Sequence, residues 1–152
     1  VGKIYCNDGV ILARVMLDHI NTWPKRPADC VLEDLDVEPP SLVLQQLAGA
    51  EVKRRYINRS YIGAWPFAIY VRVNAEDTAA RLDAAAILNE LYKWLTEKKE
   101  SGEYWHLPII DPERTATQIT MTSLPAIAER FENGAEDYQA IFELEYKYTE
   151  RR

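Results

Sequence analysis

The alternation near the C-terminus constrains this chain more than any other feature. Tyr138, Ala140, Phe142, Leu144, Tyr146 and Tyr148 fall on one side of an extended backbone, while Gln139, Glu143, Glu145 and Lys147 fall on the other. Successive strand side chains point to opposite faces, so this pattern requires a long strand with one face against a core. Just upstream, Glu132, Asn133 and Gly134 give a turn signal, because Asn–Gly tolerates the positive φ angles of a tight hairpin. Thr115, Thr117, Ile119 and Met121 alternate with polar neighbours and predict the partner strand. A second hairpin is predicted earlier in the chain. Phe67, Ile69, Val71 and Val73 oppose Ala68, Tyr70 and Arg72, and residues 51–60 set Val52, Arg54 and Tyr56 against Lys53, Arg55 and Ile57, with a loop containing Gly63 between the two strands.

Helical spacing marks the rest. Ala80, Ala84, Ile87, Leu88, Leu91 and Leu95 trace one stripe of a long helix ending near Lys99, with Asn74 as its N-cap and Asp77 three positions on. Ile11, Leu12, Val15, Met16 and Ile20 predict a first helix over residues 8–23, with Asp8 offering a capping oxygen and Pro24 and Pro27 stopping it. After the acidic, rigid run Glu33, Asp34, Leu35, Asp36, Val37, Glu38, Pro39 and Pro40, a short second helix is predicted over residues 40–48, since carboxylates are favoured ahead of a helix start.

Strands clustered in hairpins, with helices before and between them, predict an α+β fold in one domain over residues 1–152. The expectation is an antiparallel four-stranded sheet of two hairpins packed with about three helices. The length suffices for this, because a globule of 152 residues hides roughly 68–70% of its unfolded surface. No apolar run approaches the ~18 residues of a membrane span and no leader pattern opens the chain, so a cytosolic product with no membrane partner is expected. Cys6 and Cys30 are then free thiols.

Reactive constellations are sparse. Cys6, His19, Cys30 and His106 are the only thiols and imidazoles, and none stands at the close pair spacing of a zinc site; His19, near the end of the first helix, reads as a surface or capping residue. Asp34, Asp36 and Glu38 alternate as calcium-loop oxygens do, but Pro39 stands where the loop needs Gly, and Gln45 where it needs Glu. The six glycines are scattered, and no nucleophile elbow surrounds any serine. Glu143 and Glu145 share a strand face, which is commonplace for exposed strand charges. No catalytic residue, metal or cofactor is assigned.

Two clusters remain as candidate sites. Lys53, Arg54 and Arg55, with Arg59 nearby and Tyr56 and Tyr61 interleaved, form a basic patch. The net charge of −6 repels a phosphate backbone, which favours a subunit or acidic protein partner over nucleic acid for this patch. Tyr104, Trp105 and His106 read as a loop anchored by its aromatics; the rival reading is a small-ligand or enzymatic pocket between sheet and helices beside that loop.

The stretch "PAIAERFENGAEDYQAIFELEYKY" at residues 125–148, preceded by "WPFAIYVRV" and "RLDAAAILNELYKWL", resembles the tail-terminator (minor capsid) proteins of long-tailed bacteriophages. The resemblance covers about half the chain in the family's order and leaves residues 24–49 outside it. It implies a non-enzymatic α+β subunit that forms a ring, usually a hexamer, on the finished tail tube at the head–tail junction of the virion. Its partners would be copies of itself, the tail tube protein and a head-completion protein, and another head–tail connector component is the neighbouring alternative. DNA would pass through the ring without sequence-specific binding, since carboxylates lining a lumen do not adhere to it. Lys53, Arg54 and Arg55 would then lie at an interface, facing acidic groups of a neighbour or of the tube.

Overall fold

The computed structural model describes residues 6–33, 41–74 and 78–150. Its elements run α1 (Cys6–Ile20), β1 (Cys30–Leu32), β2 (Ser41–Gln46), β3 (Glu51–Arg55), β4 (Tyr61–Asn74), α2 (Thr78–Thr96), β5 (Arg114–Arg130) and β6 (Ala135–Tyr148). The strands form a six-stranded sheet in the order β1-β2-β4-β6-β5, with β3 also paired to β4. All pairings are antiparallel except β1 with β2. The expected four strands and three helices are thus corrected, among the described residues, to six strands and two helices.

The main cause of that difference is residues 41–46. Leu42, Val43 and Leu44 were expected on a helix, but they form β2 and are all buried, with Leu42 and Leu44 opposite the core residues Val71 and Ile69. A strand buried on both faces is a continuous apolar run, and over six residues such a run satisfies a helical period as well as an extended one. β2 takes the Phe67–Arg72 half of β4 as its partner. The predicted pairing of β3 with β4 forms instead along Tyr61–Ala64, so the loop lies at residues 56–60 and Gly63 belongs to the strand. The acidic run from Asp34 to Pro40 and Asp77 lie outside the described residues, and Asn74, the expected N-cap of the long helix, is instead the last residue of β4, paired with Ala135, before α2 begins at Thr78.

β2 and β3 run end to end along one side of β4, interrupted at residues 47–50, and the interruption falls beside Pro66. Leu47 N–H donates to the Pro66 carbonyl, 3.3 Å. In a strand, a residue's N–H and C=O point to the same side, so the N–H that proline lacks would face the gap and not β6. Proline is tolerated inside this sheet because its neighbour on that side breaks there. On its other side β4 pairs with β6 in unbroken register from Tyr61↔Tyr148 to Asn74↔Ala135.

One face of this sheet is covered by both helices. Tyr61, Trp65, Phe67, Ile69 and Val71 of β4 meet Phe142, Leu144 and Tyr146 of β6, beneath Leu12, Met16 and Ile20 of α1 and Ala84, Leu88, Leu91 and Leu95 of α2. Trp65, Phe67 and Phe142 stack in sequence at 5.1 and 5.4 Å, and Tyr92 of α2 closes on Phe142 at 6.0 Å. Burial stabilises this core by about 1.5–3 kcal/mol for each fully buried large apolar side chain.

Both sheet edges are blunted. At β1, the Asn21 side-chain amide donates to the Cys30 carbonyl (3.1 Å) and accepts from the Cys30 N–H (2.7 Å), so a side chain stands where another strand would pair. The thiol of Cys30 is buried and free, and burial pushes it up to about 12, leaving it unreactive. At the other edge, β5 carries Pro125 and four register shifts against β6, which twist and interrupt its outer side.

Gly63 is fixed by a close approach. A Cβ at this position would lie 2.6 Å from Cζ of its cross-strand partner Tyr146, a contact that the ring can escape only by moving. Gly63→Ala is therefore expected to lower the unfolding free energy by about 1–3 kcal/mol. Urea denaturation checks this, with a reduced midpoint at unchanged slope as the expected outcome.

Candidate functional site

A dense gathering of ionisable groups lies inside the protein. Asp8 falls in the first turn of α1 and is fully buried. It does not cap the helix as its position in the sequence suggests. Its Oδ1 accepts from Arg114 Nε (2.8 Å) and Nη2 (2.6 Å), and its Oδ2 accepts from the hydroxyls of Tyr146 (2.6 Å) and Tyr61. Arg114 also donates to Asp111 Oδ2 at 2.8 Å, and Tyr148 lies under its guanidinium at 5.2 Å. One carboxylate thus joins α1 to the first residues of β4 and β5 and to the end of β6.

Electrostatics follow from this geometry. Burial alone would lower the Arg114 guanidinium, but the hydrogen bonds and charges of Asp8 and Asp111 outweigh it and raise it. Burial and the Asp8 carboxylate together push the Tyr146 phenol far above its ordinary value. The cation stays charged and the phenol stays protonated, so the cluster is a hydrogen-bonded lock with its donors committed. It is not a poised acid–base pair. A signal for it existed in the sequence. Asp8 stands on the same four-residue repeat as Leu12, Met16 and Ile20, all fully buried, and a carboxylate on a buried stripe requires a cation and hydroxyls around it.

The predicted basic patch is split by the fold. Between Val52 and Arg54 the β3–β4 register shifts, so the expected alternation fails: Val52 is buried, while Lys53, Arg54 and Arg55 are all exposed. Lys53 reaches across to Glu143 at 2.6 Å and Glu145 at 4.0 Å, the two carboxylates that share a strand face, and the hydrogen bond to Glu143 raises its pKa. That pairing is made within the chain. Arg55 lies 5.4 Å over the ring of Tyr61, and Arg59, in the left-handed region at φ 71°, is 3.9 Å from Glu150 and largely exposed. Arg54 makes no ion pair among the described residues.

The aromatic loop is tied to the end of α2. Trp105 N–H donates to the Glu97 carbonyl (2.8 Å), Lys98 lies 5.0 Å over Tyr104, and Lys99 lies 4.9 Å over Trp105. His106 stacks on Trp94 at 4.7 Å, and His19 of α1 stacks on the same indole at 5.0 Å while its Nε2 hydrogen-bonds the His106 carbonyl. His19 is thus a packing residue, not the surface cap that its place near the helix end suggests. Next to the stack, Trp23, Pro24, Lys25, Glu90, Lys93, Trp94, Thr96 and Glu97 line a groove of about 520 Å³. It lies between the end of α1 and α2, whereas Tyr104, Trp105 and His106 are not in its lining. Among the described residues no group of three or more His, Cys, Asp or Glu could hold a metal ion, and no helix is long and apolar enough to cross a membrane.

The stack makes stability depend on pH. Burial lowers the pKa of His19 below 6.5, only partly countered by its hydrogen bond to His106. The unfolded chain therefore binds a proton before the folded one does, and stability that is complete above about pH 6.5 is lost as pH falls through the folded value. Melting temperatures between pH 7.5 and 5 should fall in the wild type, and fall less steeply in His19→Phe, which keeps a ring against Trp94 but cannot titrate. Comparison with known proteins gave no matching family model and no match among curated sequences.

Proposed function

We propose that this chain is a structural assembly subunit, the tail terminator of a long-tailed phage, which closes as a ring on the tail tube, stops its growth and presents the surface that joins the head. The observation that carries this reading is where the reactive and the sticky groups lie. Two clusters of ionisable groups converge, Asp8, Arg114 and Asp111 with Tyr61 and Tyr146, and Asp137 and Glu136 with Arg72 and Arg81, and in both the charges are paired within the chain. Exposed large apolar groups occur at several places, among them Val10, Leu82 and Ile109, and three stand at the hairpin tip and on the edge strand: Ile57 is fully exposed, Leu124 is 77% exposed and Ile127 is 40% exposed. Scattered apolar side chains are normal on any protein, but ones that stand at a tip and along an edge are placed to meet another molecule.

The resemblance adds to this. The segments that carry it become β4, α2 and the β5–β6 hairpin, the half of the fold that supports the rest. In the proposed ring the partners are copies of the chain, the tail tube protein and the head-completion protein, and DNA crosses the lumen without sequence-specific contacts. A net charge of −6 per copy supports passage without adhesion. Arg54, Arg55 and Arg59, exposed and not deeply paired, are the cations left for an interface, while Lys53 is already engaged by Glu143.

Electron microscopy of the purified chain added to polymerising tail tube protein tests the function. The expected result is a ring at one end of each tube and tubes of limited length. Tubes that lengthen as before, with bare ends at saturating amounts of the chain, would rule it out.

A further inference from the structure

Resting on the assembly reading, we infer that copies join head to tail, with the cation-ringed hairpin tip at Ile57 of one copy docking on the outer end of β5, at Leu124, Ile127 and Glu129, of the next. The tip is an apolar knob in a basic collar. Ile57 is fully exposed between Tyr56 and Asn58, Arg55 and Arg59 flank it, and Lys147 lies 5.5 Å over the ring of Tyr56. Around it, Tyr56, Ile57, Asn58, Ser60 and Lys147 line an open depression.

The complementary feature is on the edge strand. Leu124 and Ile127 are exposed, and Glu129 and Glu132 follow, also exposed and without an ion pair among the described residues. Arg130, between them in sequence, is 70% exposed and lies 3.8 Å from the buried Glu136, so the cation of this border already faces a carboxylate of its own chain. The patch is therefore apolar with an acidic border, which suits a knob that is apolar with a basic border.

Position decides the symmetry. The tip lies at the end of the sheet where Tyr61 and Arg114 pair with Tyr148, and Glu129 and Arg130 lie at the opposite end, across from Asp137 and Glu136. The patch pairs with β6 between Ile141 and Asp137, away from Tyr148 along the strand, which sets it roughly 25–35 Å from the tip end at ~3.3 Å per residue. A tip and a patch so far apart cannot meet within one copy. Two-fold pairing of tips would oppose like charges. Contact between unlike ends avoids that and is heterologous, the kind that closes a ring when its rotations complete a turn. Strand addition is the less suited route, because Asn21 blocks β1 and Pro125 with its neighbouring register shifts interrupts β5.

Two variants at exposed positions test the contact without touching the core: Ile57→Asp at the knob and Leu124→Asp at the patch. Sedimentation and native mass spectrometry are run on the wild type, on each variant and on their equimolar mixture, up to millimolar concentration. The wild type should assemble beyond the dimer, and each variant alone should remain at the 17.5 kDa of one chain. The mixture should double that mass and grow no further, because it holds one intact knob and one intact patch per pair. Assembly of either variant like the wild type, or a mixture that stays monomeric while the wild type assembles, would overturn this contact and leave the assembly reading standing. A wild type that stays monomeric throughout, or that binds anionic vesicles instead of itself, would overturn the contact, whereas the assembly reading falls only if tail tubes stay uncapped.

Discussion

The structure depends on one buried carboxylate. Asp8 is removed from water at the start of α1 and surrounded by a guanidinium and two phenols that come from the beginnings of β4 and β5 and the end of β6. Unpaired, such a charge would cost several kcal/mol; paired and hydrogen-bonded on both oxygens, it specifies where the helix sits. β4 and β6 are paired along their whole length by the strand ladder. What Asp8 adds is a fixed position for α1 over the sheet, and with it the meeting of His19 and Trp94 at the far end of that helix.

The consequences reach the surface. Because α1 and α2 are both committed to one face, the loop after α2 folds back on the helix end and stacks its aromatics there, and the hairpin tip at residues 56–60 is left projecting from the end of the sheet nearest the lock. Gly63, two residues into β4, admits the Tyr146 ring, and so the same ring that donates to Asp8 also fixes the root of that hairpin. A rigid root beneath an exposed Ile57 gives the tip a defined direction. On the proposed assembly reading this matters, since loosely held contacts lose affinity to ordering.

Much of this was legible in the sequence. The long alternation of β6, the Asn133–Gly134 turn and the striped helix α2 each have one dominant physical reading, and each stands in the structure with ends shifted by a few residues. Residues 41–46 did not have one reading: an apolar run buried on both faces carries no period, so only the pairing with β4 makes it a strand. The bulge at Lys53 was likewise invisible, because alternation in β3 is broken by the backbone and not by residue type. Of the candidate site, the basic cluster was found as a group, but the fold divides it, giving Lys53 to Glu143 and leaving the arginines outward. Asp8, Tyr61, Arg114 and Tyr146 were missed as a set because their separation along the chain conceals a contact that exists only in three dimensions. Asp8 alone carried a sign of it, in its place on the buried stripe.

The account's central claim is that the buried cluster around Asp8 and Arg114 holds the fold together. A double-mutant cycle on Asp8→Ala and Arg114→Ala, read by urea unfolding, addresses it most directly. The account predicts a loss of about 3–5 kcal/mol for either single change, because each leaves its partner buried and uncompensated, and a double variant no less stable than the weaker single. Losses under about 1 kcal/mol that simply add would contradict it.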